Sequence, residues 1–127
     1  MILLDTHVWL WWVSQPDKLS ATARSAIETA AEIGVSSISS WEIATLVRLG
    51  RIELDRPAND WIGQALSHPR VRDIPVTSSI ASRAGALEAF HGDPADRMIY
   101  STALDLRSPL LSRDLALRRR DPVRVIW

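Results

Sequence analysis

The sequence predicts an α/β fold, with a central parallel sheet of four to five strands between two helical layers. Three observations carry that expectation. Short apolar runs recur at 2–5, 33–39, 71–77, 108–114 and 123–127, and the longer segments between them carry helical spacing. The resulting order, β-α-α-β-α-α-β-α-α-β-α-β, is that of a parallel sheet covered on both faces. The composition, 46% hydrophobic and 24% charged over 127 residues, is that of an ordinary globular chain, long enough for one domain, 1–127, to build its own core.

Each element has a local reason. ILLD (2–5) is apolar and ends in an acid, so it reads as a buried strand. THVWLWWVSQ follows with apolar residues at 8, 9, 12 and 13, a helical spacing. SATARSAIETAAE (20–32) opens on an N-cap residue and is Ala-rich, hence helix. IGVSSIS (33–39) is the second strand, and SWEIATLVRLGRI (40–52) a helix with Ile43, Leu46, Val47 and Gly50 on one face. Pro57 opens a helix through Trp61, Ile62, Ala65 and Leu66 that stops before Pro69. VRDIPVT (71–77) is a strand weakened by Pro75, and SSIASRAGALEAF (78–90) is helical. DPADRMIYSTALDL (93–106) is a strong helix opened by Asp-Pro. SPLLSRD (108–114), DLALRRR (114–120) and VRVIW (123–127) complete the order as strand, short helix and strand.

Composition narrows the function classes. There is no cysteine, which excludes disulfides and thiolate metal sites. The longest apolar run, VWLWWV (8–13), is too short to span a bilayer, and MILLDTH lacks a basic leader region, so the expected location is the cytoplasm with no membrane contact. Net charge is zero but uneven. Residues 1–64 hold five basic and eight acidic side chains, and 65–127 hold ten and seven. Fourteen of the fifteen basic residues are Arg, a choice that suits phosphate contacts and that GC-rich coding also produces.

Four acids share one context. Asp5 ends the first strand and Asp114 the fourth, while Glu42 and Asp96 sit in the first turns of helices. In open α/β sheets, ligands bind outside the carboxyl ends of the strands. Each acid also has a structural explanation. Ser39-x-x-Glu42 fits a capping box, Asp93-Pro94 fits N-cap then N1, and Asp5, Asp96 and Asp114 suit the positive ends of helices. Taken together, the repeated choice of carboxylate at one edge favours a site. Two carboxylates about 4 Å apart repel by roughly 4 kcal/mol at an effective dielectric near 20. A converging set therefore calls for protonation or a cation, and oxygen-only donors favour Mg²⁺ or Mn²⁺. Such an ion suits phosphodiester hydrolysis by activated water.

LLDTHVWLW (3–11), SSISSWEIATLVRLGRI (36–52), HGDPADRMIYSTAL (91–104) and LLSRDLALR (110–118) resemble, in order and spacing, PIN-domain ribonucleases, and more narrowly VapC toxins of bacterial toxin–antitoxin pairs. The resemblance implies a three-layer α/β/α fold and a Mg²⁺- or Mn²⁺-dependent endoribonuclease. Its catalytic acids would be Asp5, Glu42, Asp96 and Asp114, with Asp5, Asp96 and Asp114 on the metal. Thr6, Asp93 and Ser112 would orient carboxylates or waters. It also implies a VapB-like antitoxin and a homodimer. Arg97, Arg113 and Arg118 lie near the acids and are the expected RNA contacts, although the run Arg118-Arg119-Arg120 also suits a solvated helix end; His7 and His91, beside the acids, are expected in structural or surface roles rather than on phosphate. Among the tryptophans, Trp9, Trp12 and Trp41 are expected in the core or lining a groove, and Trp11 at a dimer or antitoxin contact. A phospho-acceptor receiver domain needs a lysine after a late strand, and the only lysine is Lys18; an Asp-x-Asp phosphatase lacks its second acid at His7. A binding module without catalysis is the remaining alternative, and the presence of all four acids argues against it.

Overall fold

The computed structural model describes residues 1–90 and 92–127. Five strands form one parallel sheet in the order β3-β2-β1-β4-β5. They are β1 (Ile2–Leu4), β2 (Ile33–Ser36), β3 (Val71–Ile74), β4 (Leu110–Leu111) and β5 (Val125–Ile126). The helices are α1 (Thr6–Ser14), α2 (Ala21–Thr29), α3 (Ser37–Arg48), α4 (Ala58–Leu66), α5 (Ser78–Ala86), α6 (Pro94–Leu106) and α7 (Leu115–Arg120), with a 3₁₀ turn at Pro16–Lys18.

The strand period of two divides the core. Ile2 and Leu4 of β1, Ile33 and Val35 of β2 and Leu111 of β4 face one layer, built from Val8, Trp9, Ile27, Trp61 and Ala65 of α1, α2 and α4. Leu3, Leu110 and Val125 face the other, against Ile99, Tyr100 and Ala103 of α6 and Leu117 of α7. Helix α3 reaches both sides, with Ile43 in the first and Ile38 packed on the second. This is the expected three-layer α/β/α arrangement. Gly34, inside β2, lets its neighbours approach: a Cβ there would lie 3.1 Å from both Leu3 Cδ1 and Met1 Sδ. Among the described residues no helix is long and apolar enough to cross a membrane.

Several boundaries differ from the sequence expectation, each for a local reason. The second strand stops at Ser36 because that serine caps α3, its Oγ accepting from Ile38 N at 3.3 Å. The Ser39–Glu42 capping box is therefore not formed. Ser39 lies inside the helix and buried, and Glu42 falls in the second turn. Gly50 does not continue the apolar face; with φ of 69° it closes α3 in the left-handed region. β3 ends before Pro75, β4 and β5 shorten to two residues each, and α5 ends at Ala86. Asp93 and Pro94 start α6 as expected, Asp93 Oδ1 accepting from Asp96 N at 3.1 Å.

Candidate active site

Sheet register builds the site's centre. Leu4 pairs with Leu111, so the next residues along β1 and β4, Asp5 and Ser112, emerge side by side at the carboxyl edge. Ser112 Oγ donates to Asp5 Oδ2 at 2.6 Å. Asp5 Oδ1 caps α1 by accepting from Thr6 N at 2.8 Å. The same Ser112 hydroxyl accepts from Asp114 N at 3.1 Å, and Asp114 Oδ1 caps α7 through Leu117 N at 3.0 Å. One hydroxyl thus ties two of the acids together. Thr6 is buried and donates to Ser39 Oγ at 2.9 Å, bracing α1 against α3 at the level of Glu42. Ser39 was not expected here. Four serines at 36, 37, 39 and 40 offer equivalent caps, and only the tertiary contact decides which one turns inward.

The electrostatics bring all four acids, and Asp93, into one field. The Asp96 carboxyl is pushed up to about 8, first by burial, then by the charges of Asp5, Asp93, Glu42 and Asp114. Burial also raises Asp5, against the hydrogen bonds from Ser112 and Thr6 that lower it. Glu42 is raised by burial and by Asp5 and Asp93, while the Thr6 hydroxyl and His7 pull the other way. Among the described residues, no three acidic or histidine side chains close into a coordination cluster. The donor set still fits a hard divalent cation. It is all carboxylate and mutually repelling, and Mg²⁺ takes one or two direct carboxylates with the remainder water. The acids are near enough to raise one another's pKa but do not close into a coordination cluster among the described residues.

The expected RNA contacts divide. Arg97 is corrected: its guanidinium turns to the α5–α6 connection, donating to the carbonyls of Ala84 at 2.9 Å, Leu87 at 2.7 Å, Phe90 at 3.2 Å and Gly85 at 3.3 Å. Unsatisfied carbonyls at the end of α5 provide that demand. Arg120 is committed likewise to Glu88 and Ala89 O. Arg113 is exposed next to Asp114, its Cζ 5.8 Å from the Trp11 ring centre, and Arg118 lines a groove on α7. The tryptophan assignment also reverses in part. Trp9 is fully buried as expected, but Trp11 is only 9% exposed and belongs to the core, whereas Trp41 is 55% exposed. Helical spacing alone misplaced Trp11 because Trp127 closes over its outer side, ring centres 5.8 Å apart. His7 is exposed beside the acids, and His91 lies outside the described residues.

A five-stranded parallel sheet of order 3-2-1-4-5 with acids gathered where β1 and β4 end is the architecture of a PIN domain. The chain belongs to the PIN-domain family, whose model matches residues 2–122. Within it, Ribonuclease VapC22 of Mycobacterium tuberculosis is 44% identical over 118 residues, 92% of this chain and 89% of the relative. Solved structures share the fold at lower identity. A toxin-antitoxin complex from Klebsiella pneumoniae superimposes with a TM-score of 0.71 at 22% identity, over 100% of this chain and 97% of the other. VapBC2 from Rickettsia felis, bound to a promoter DNA fragment, gives 0.71 at 17% identity, over 99% and 98%.

Proposed function

We propose that this chain is a metal-dependent endoribonuclease, the toxin of a VapBC-like toxin–antitoxin pair, working as a single domain over 1–127. The carrying observation is the Ser112 hydroxyl that ties Asp5 to Asp114 at the carboxyl edge of the sheet, in a chain 44% identical to a ribonuclease. PIN-domain ribonucleases use a divalent metal ion; here Mg²⁺ or Mn²⁺ would be held by Asp5, Asp96 and Asp114. When bound, the ion lowers the pKa of water and neutralises charge on the phosphoryl oxygen.

The chain's own groups do the rest. Ser112 fixes the Asp5 carboxylate, and Asp93 aims Asp96 by setting the first turn of α6. Glu42, raised by burial, is suited to take the proton of the attacking water at its carboxylate. Partners follow from the same reading: a VapB-like antitoxin covering the acids, an RNA substrate and a second copy of the chain, all in the cytoplasm. A groove of about 1020 Å³ beside α1 and α4, lined by Trp11, Trp12 and Trp61 together with Lys18, Glu53 and Arg56, offers a mixed polar and apolar bed for a partner segment.

The open acid arrangement also suits a binding module of weak catalysis, so the test must read chemistry. Purified protein is assayed on RNA with Mg²⁺, Mn²⁺ or EDTA, beside Asp5→Asn and Asp96→Asn. Cleavage is expected only with metal, and to fall at least ~100-fold in either variant. Persistence in EDTA, or in both variants, would sink the metal–acid mechanism.

A further inference from the structure

The basic side chains sort into three groups by what they touch. Arg56, Arg72, Arg83 and Arg124 pair with carboxylates. Arg24, Arg70, Arg97 and Arg120 donate to backbone carbonyls. Lys18, Arg48, Arg51, Arg107, Arg113, Arg118 and Arg119 do neither among the described residues; of these, Lys18 and Arg113 flank Trp11, and Arg118 and Arg119 lie on α7 just after Asp114. Arg113 and Lys18 each stand 5.8 Å from the Trp11 ring centre. Arg118 and Arg119 follow one turn after Asp114 on α7 and line an open groove of about 510 Å³ with Leu115, Pro122 and Trp127. Trp127 joins the two patches, since its ring also contacts Trp11. By contrast, Arg48 and Arg107 lie at the far ends of α3 and α6, which begin at the site.

We propose that a single-stranded stretch of the RNA substrate leaves the acids over Arg113 and runs in the groove between α7 and Trp127. Arg118 and Arg119 meet its phosphates, and the Trp127 ring stacks on one base. The inference rests on the ribonuclease reading and adds the strand's path. The chemistry selects the ligand. Guanidinium groups with no carboxylate partner match phosphate oxygens. An indole face in the groove serves any unpaired base, whereas a duplex hides its base faces. Phosphates approaching four acids need local positive charge, and Arg113 supplies it next to Asp114. Trp11 is too buried to stack; it is the platform that holds Lys18 and Arg113 in place.

The test measures binding without chemistry. Anisotropy of a labelled single-stranded RNA of about 12 nucleotides, and of its duplex, is read in EDTA from about 50 to 200 mM salt. Expected results are tighter binding of the single strand, and about tenfold weaker binding for Arg118→Ala/Arg119→Ala, with a salt slope shallower by about 1.4. Trp127→Ala should lose about tenfold, Trp127→Phe should recover most of it, and Arg48→Ala/Arg107→Ala should change nothing. If wild type cleaves RNA with Mg²⁺ while the double variant binds with unchanged affinity and slope, the path is wrong and the ribonuclease reading stands. If wild type neither binds nor cleaves RNA, both fall. Variants that keep RNA affinity but lose a co-expressed antitoxin would make the strip a protein-docking surface and overturn the proposal.

Discussion

Asp96 shows how a single side chain is held against its own preference. Its folded-state pKa of about 8 lies above the unfolded value of 3.8, so the folded protein binds that proton more tightly. Stability from this group is complete below the unfolded pKa and is lost as pH rises towards 8. Asp5 and Glu42, also raised, act in the same direction. In EDTA, the protein should melt several degrees lower at pH 8 than at pH 5.5. Asp96→Asn should flatten that dependence and gain about 1–2 kcal/mol at pH 8, a figure discounted for the partial exposure of the carboxyl. Identical pH profiles for wild type and variant would show that Asp96 carries no such burden. On the expected outcome, removing this candidate catalytic acid stabilises the molecule while disabling it. Asp5, Asp96 and Asp114 could be singled out in the sequence because each sits at a strand end or in the first turn of a helix, whereas Glu42 lies in the second turn of α3. The hydroxyl links were only half legible. Ser112 stands opposite Asp5 through a strand pairing 107 residues distant, and no local pattern encodes Thr6 meeting Ser39.

At the scale of elements, Arg97 ties α6 to the end of α5, and Arg120 of α7 grips the same connection while stacking on Phe90 at 5.1 Å. The connection ends at Asp93, which starts α6, so its shape sets where Asp96 points. Arg97→Lys replaces a planar fork by a point charge that cannot serve four carbonyls. The expected result is a loss of about 1–3 kcal/mol of stability and a rise in the Mg²⁺ concentration needed for half-maximal cleavage. An unchanged metal titration despite the stability loss would restrict Arg97 to scaffolding. Sequence reasoning placed Arg97 on RNA because proximity in the chain to Asp96 is visible and the direction of a side chain is not. The same limit explains the serine caps. Strand and helix order could be read from apolar period and from Ser20, Asp93 and Asp114, which cap where expected. The start of α3 could not, because the four nearby serines are locally equivalent.

At the scale of the whole molecule, the sheet joins chain segments far apart in sequence, and a cation would bind across them. It should therefore act as a stabiliser of the entire fold: Mg²⁺ at 100 times its dissociation constant should add about 2.7 kcal/mol. Melting curves with and without Mg²⁺ should separate for wild type and coincide for Asp5→Asn; equal separation in both would place the ion elsewhere. The order β3-β2-β1-β4-β5 has one more consequence. A ribosome releases the β1–β2–β3 segment first, with Asp5 and Glu42 aboard, and delivers Asp96 and Asp114 more than 50 residues after Glu42. A stalled or degraded nascent polypeptide thus lacks half of the acids. The cell making this protein meets the full set of acids only once translation has passed Asp114.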